Sequence, residues 1–110
     1  MMGNRRPTAN VKQWASASYT ASAAGSSSET PTLPQGMVGK PLVIRASGSV
    51  SGQVTFTYAN GAQILVPVNP NAEYTEEKIP DSAFPAPTNQ VSVTLVADGA
   101  GVIRCLVGFA

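Results

Sequence analysis

The residues of this 110-residue chain best equipped for chemistry are four carboxylates within one stretch, Glu73, Glu76, Glu77 and Asp81. Two carboxyl groups held a few ångströms apart can cleave a glycosidic bond, but they need a cleft walled by aromatics that stack the sugar. The only tryptophan, Trp14, lies far upstream of them. Asn69 and Asn71 add oxygen donors, yet no loop matches a calcium-ligand spacing. The stretch therefore reads as a solvated edge. Gly48-Ser49-Val50-Ser51-Gly52 has the outline of a nucleophile elbow with valine where the nucleophile belongs, and the chain has no histidine to serve as base. Gly99-Ala100-Gly101-Val102-Ile103-Arg104 begins like a dinucleotide fingerprint and fails at its third glycine. Cys105, the single cysteine, sits in an apolar run and reads as a small buried hydrophobe. One Cys and no His exclude an internal disulfide and a zinc site. The sequence thus predicts no enzyme, no catalytic residues, no cofactor and no metal.

Binding is the chemistry left. Trp14 is an aromatic anchor among small residues, the kind that carries energy when an extended segment docks. Tyr19 lies nearby, and Arg5, Arg6 and Lys12 make residues 1–28 basic with no acid among them. Residues 29–110 carry four basic against six acidic groups, so a basic tip precedes a mildly acidic body. The partner-binding set is therefore Trp14, Tyr19, Arg5, Arg6 and Lys12. Another protein is the expected partner, and a nucleic acid contacted through Arg5, Arg6 and Lys12 on its phosphates is the lesser alternative. The alternative for Trp14 is that it folds back and completes its own domain's core.

The elements that must position these residues divide at Gly36. Residues 1–36 are rich in Ser, Ala, Thr, Gly and Pro, and read as an extended N-terminal arm and linker. Within it, Val11 to Ala21 alternates, with Val11, Ala15, Ala17, Tyr19 and Ala21 on one face, as in a strand laid on another sheet. Ala24 to Ser28 reads as a flexible linker, and Thr30 to Pro34 as a stiff extended approach.

Residues 37–110 predict a compact β-domain. Pro41 to Ala46 is a first strand, and Val54 to Tyr58 alternates with Val54, Phe56 and Tyr58 inward. Asn60-Gly61 is the favoured pair for a two-residue hairpin turn, which would pair Phe56 with Leu65. Ala72 to Ile79 could form one charged edge strand. Val91 to Val96 and Val102 to Phe109 form a last hairpin, whose second strand is expected at the centre of a sheet. About five to seven short strands make an all-β fold, a small antiparallel sandwich or barrel, jelly-roll-like or Ig-like. The body's modest size without disulfides points to oligomerisation.

No apolar stretch follows Met1, so no signal peptide is expected, and runs such as Ile64-Leu65-Val66 are too short to cross a bilayer. The chain is expected to be made in the cytoplasm and to have no membrane partner. In style, with arm Met1–Gly36 and turn-rich body Met37–Ala110, it resembles small tailed-bacteriophage virion proteins, most closely the capsid decoration or cement type. That resemblance implies a structural protein located in the virion. It would be a homo-oligomer such as a trimer, bound to a major capsid or other virion protein and lashing neighbours together through its arm. Deleting residues 1–36 should then leave a folded body that no longer assembles. The rival expectation is a receptor- or carbohydrate-binding module, a fibre or adhesin tip, with an exposed aromatic patch near Tyr58 or Tyr74.

Overall fold

Period-two alternation sets the faces of the strands. In β1 (Gln13–Ala21), Ala15, Ala17, Tyr19 and Ala21 turn inward, while Trp14, Ser16, Ser18 and Thr20 turn outward. The structure, a computed structural model, describes residues 10–110. Seven further strands follow: β2 (Gly25–Glu29), β3 (Pro41–Gly48), β4 (Gly52–Thr57), β5 (Gln63–Val68), β6 (Thr75–Lys78), β7 (Ser92–Ala97) and β8 (Gly101–Phe109). They build two four-stranded antiparallel sheets, ordered β1-β8-β3-β6 and β2-β7-β4-β5. Every connection except β4–β5 crosses from one sheet to the other. This order is that of the eight-stranded jelly roll, in which two Greek keys close over one core.

That core lies between the layers. Ile44, Ala46, Ile103, Cys105, Val107 and Phe109 from the first sheet meet Val54, Phe56, Val66, Val93 and Leu95 from the second. Leu33, Ile79, Phe84 and Val91, from the long connections, join the same cluster. All of these side chains are nearly inaccessible to water, and their removal from it is the main stabilising term.

The expected boundary at Gly36 is corrected. The segment read as arm and linker contributes β1, which pairs with β8 along its whole length, and β2, which pairs with β7. Gly25 to Ser28, expected as flexible linker, forms most of β2 although serine and glycine are poor strand formers. Its register with β7, which sets Ser27 opposite Leu95, overrides that preference.

The β4–β5 hairpin forms as expected, but one residue out of the expected register. The Tyr58 amide donates to the Ala62 carbonyl at 2.7 Å, so the loop holds three residues, with Gly61 left-handed at φ 93°. Asn60 keeps a negative φ, which rules out the two-residue turn. Its Oδ1 instead accepts from the Ala62 amide at 2.9 Å. Phe56 therefore faces Ile64, and Leu65 faces Thr55. The slip turns Ile64, Val66 and Val68 inward and leaves Leu65 59% exposed.

The last expected hairpin is also revised. β7 and β8 lie in opposite sheets, so their apolar faces cover each other across the core rather than lining one side. β8 is central in its sheet, between β1 and β3, as expected.

Candidate functional site

The outer face of the β1-β8-β3-β6 sheet departs most from a plain solvated surface. Its registers align side chains in rows across the strands. Trp14, Gly108, Val43 and Lys78 form one row, Ser16, Leu106, Arg45 and Glu76 the next, and Ser18, Arg104 and Ser47 a third.

Trp14 sits here because Gly108 lets it. A Cβ on Gly108 would come within 2.7 Å of Val11 and 3.1 Å of the indole. The bare backbone at this point gives the ring a floor, and Val43 beneath is fully buried although it points away from the main core. The guanidinium carbon of Arg45 lies 4.8 Å from the Trp14 ring centre and 4.5 Å from that of Tyr74. Each such cation–π contact contributes about 0.5–2 kcal/mol, more as water is excluded. Arg45 Nε also donates to Glu76 Oε1 at 2.8 Å, with both side chains about three-quarters buried. A planar cation thus links both rings and one carboxylate, and fixes them in place.

The top of this assembly stays open. Trp14 is 39% exposed, Tyr74 41% and Leu106 39%. Beside them lies a depression of about 570 Å³, bordered by Arg45, Ser47, Glu73, Tyr74, Arg104 and Leu106. It offers the Tyr74 ring, an aliphatic contact, hydroxyls and guanidinium donors, the components of a recognition surface.

The other expected binding residues fall elsewhere. Tyr19 points inward and packs against the core, its hydroxyl over Gly25. The Lys12 amide donates to the Phe109 carbonyl at 2.8 Å, tying the approach to β1 onto the end of β8. Arg5 and Arg6 lie outside the described residues. Sequence reasoning missed Arg45, Arg104 and Leu106. Their only local signals were a charged residue inside the apolar run Pro41 to Ala46 and a leucine at a polar-face position of β8.

The acidic stretch disperses. Glu76 holds Arg45, while Asp81 pairs with Lys40 at 2.9 Å on the surface. Glu77 adds to the rise of the Tyr58 phenol pKa, which burial mainly causes. Glu73 borders the depression. Among the described residues, no three His, Cys, Asp or Glu side chains gather to hold a metal ion. The serines of the Gly48–Gly52 segment brace the β3–β4 connection. Ser49 Oγ accepts from the Val102 amide at 2.9 Å, and Ser51 Oγ donates to Asp98 at 3.0 Å. Cys105 is buried, and burial pushes its thiol up to about 12. A second hollow of about 360 Å³ opens beside Tyr58 and Phe84, whose rings stack edge to face.

No protein-family model matches the chain, and no curated protein or solved structure shows significant similarity to it.

Proposed function

We propose that this chain is a non-enzymatic structural protein of a viral particle, of the capsid decoration type, which oligomerises and binds neighbouring shell subunits. The observation that carries this reading is the open Trp14–Arg45–Tyr74–Leu106 face. Aromatic and arginine side chains held rigidly and left partly exposed are the usual anchors of protein interfaces. The jelly roll is compatible, since it recurs in viral capsid domains, but it hosts lectins as well and decides nothing alone. The docking element on this reading is a sheet face, with Trp14 at its rim, rather than a free arm. The protein acts in the virion, and its partners are copies of itself and a major capsid protein.

The test uses particles assembled without this chain, to which purified protein is added back. Trp14→Ala and Tyr74→Ala should each lower the bound fraction at least tenfold while circular dichroism stays unchanged. Undiminished binding by both variants would remove the face from the interface.

A second reading has its own support. The Tyr74 ring on a depression bordered by Ser47, Glu73 and Arg104 also suits a carbohydrate or receptor ligand. Trp14 is the only tryptophan, so its fluorescence reports this face directly. Saturable quenching by a sugar, lost in Tyr74→Ala, would favour this reading over the first.

A further inference from the structure

We propose that β1 is a self-association edge: two copies of this chain pair their β1 strands antiparallel about a two-fold axis, fusing two four-stranded sheets into one of eight. The inference rests on the structural-protein reading and specifies the contact by which the chain oligomerises.

Four strands border the sandwich, and three carry the features that keep sheet edges from pairing. β6 is four residues long and contains Glu76, Glu77 and Lys78. β5 carries Pro67, which has no amide hydrogen to donate. β2 is five residues long and ends in Glu29. β1 has none of these defences. It runs nine residues without a charge, a proline or a glycine. Its register with β8 is unbroken from Gln13–Phe109 to Ala21–Gly101, so no bulge twists it away. Among the described residues, no strand pairs with its outer row of backbone groups.

The strand is also complementary to itself. Setting Ala17 opposite Ala17 of the second copy pairs all nine residues. Gln13 then meets Ala21, Trp14 meets Thr20, Ala15 meets Tyr19, and Ser16 meets Ser18. Every pair joins residues of the same parity, so outward side chains meet outward ones and the two core faces stay aligned. No like charges come together. The row Glu76, Arg45, Leu106, Ser16 continues into Ser18, Arg104 and Ser47 of the second copy. Its two arginines stand four strand spacings apart, about 19 Å. A foreign strand could use the same backbone groups, but the chain's own β1 matches in length, parity and charge. Backbone hydrogen bonds supply the affinity, as in other strand-addition contacts. The dimer carries two Trp14–Arg45–Tyr74 faces on one continuous surface, so a repetitive shell would bind both and gain avidity.

Sedimentation velocity on the full chain tests this. The wild-type chain should form dimers at tens of micromolar. A Ser16→Lys/Ser18→Lys variant, which sets lysines directly opposite one another, should be monomeric at the same concentration with an unchanged circular dichroism spectrum. Mixing it with a Ser16→Glu/Ser18→Glu variant should restore the dimer. Independently, Ser16→Cys and Ser18→Cys chains, mixed and mildly oxidised, should give a disulfide-linked heterodimer. A monomeric wild-type chain, a dimeric lysine variant, or no cross-linked heterodimer would each overturn the proposal. The particle-binding assay separates the two readings. A monomer that still binds particles overturns only the edge contact, whereas a dimer that does not bind overturns the particle role.

Discussion

Cys105 shows how position in the fold decides what a reactive side chain does. A thiol becomes a nucleophile only as thiolate, and burial in β8 raises this one from an ordinary 9.0 to about 12. In the native protein it should resist thiol reagents at pH 8 and react promptly once denatured, as a colorimetric thiol assay would show. Native reactivity at the denatured rate would refute the burial. The same shift predicts a pH dependence. The folded state holds this proton more tightly than the unfolded chain, so its contribution is complete below pH 9 and is lost as pH rises from 9 towards 12. Tyr58, raised by burial and then by Glu77, acts in the same direction. The midpoint for urea unfolding should therefore fall above pH 9, and a Cys105→Ala or Cys105→Val chain should lose less over that range. Arg45 is the converse case. Two rings and a carboxylate surround its guanidinium and put its chemistry to use.

At the scale of elements, the β4–β5 hairpin separates what patterning specifies from what a turn specifies. Both possible registers bury apolar residues of β5, because Ile64, Leu65 and Val66 are consecutive. Alternation alone could not choose between them. The three-residue loop with Gly61 left-handed chooses Ile64 and Val66 for the interior. Val66, 1% exposed, should therefore not tolerate lysine, whereas Leu65→Lys should shift the melting temperature by only a few degrees. The opposite order in thermal unfolding would restore the two-residue turn. β2 makes a related point. Nothing in Gly-Ser-Ser-Ser-Glu favours a strand, yet the edge of β7 supplies the partners that make it one.

At the scale of the molecule, the two ends of the described chain lie side by side, since β1 pairs with β8. Such non-local pairing must close long loops before it is rewarded, which slows folding. The truncation at residue 36 would remove an edge strand from each sheet together with buried Leu33, so it should yield an unfolded or aggregated product rather than a stable body. In the intact protein, Trp14 fluorescence and far-ultraviolet circular dichroism should report one transition with the same urea midpoint. An earlier transition by fluorescence would mean that β1 melts as a separate arm.

Local patterning along the chain sufficed for the all-β class, for the inward faces of β1 and β4, and for the charged edge at β6. Each of these rests on local alternation or composition, which a strand displays along its own length. The sheet order, the β5 register and the membership of residues 13–29 in the sandwich came from strand pairing alone. Pairing also decided the site, because Trp14, Arg45, Tyr74 and Leu106 come from separate parts of the chain and meet only across the rows of one sheet. Spacing along the chain carries no record of that meeting. Trp14 was legible as an anchor because tryptophan among small residues stands out. Its partners were not, because an arginine or leucine acquires that role only from the neighbours that pairing brings to it.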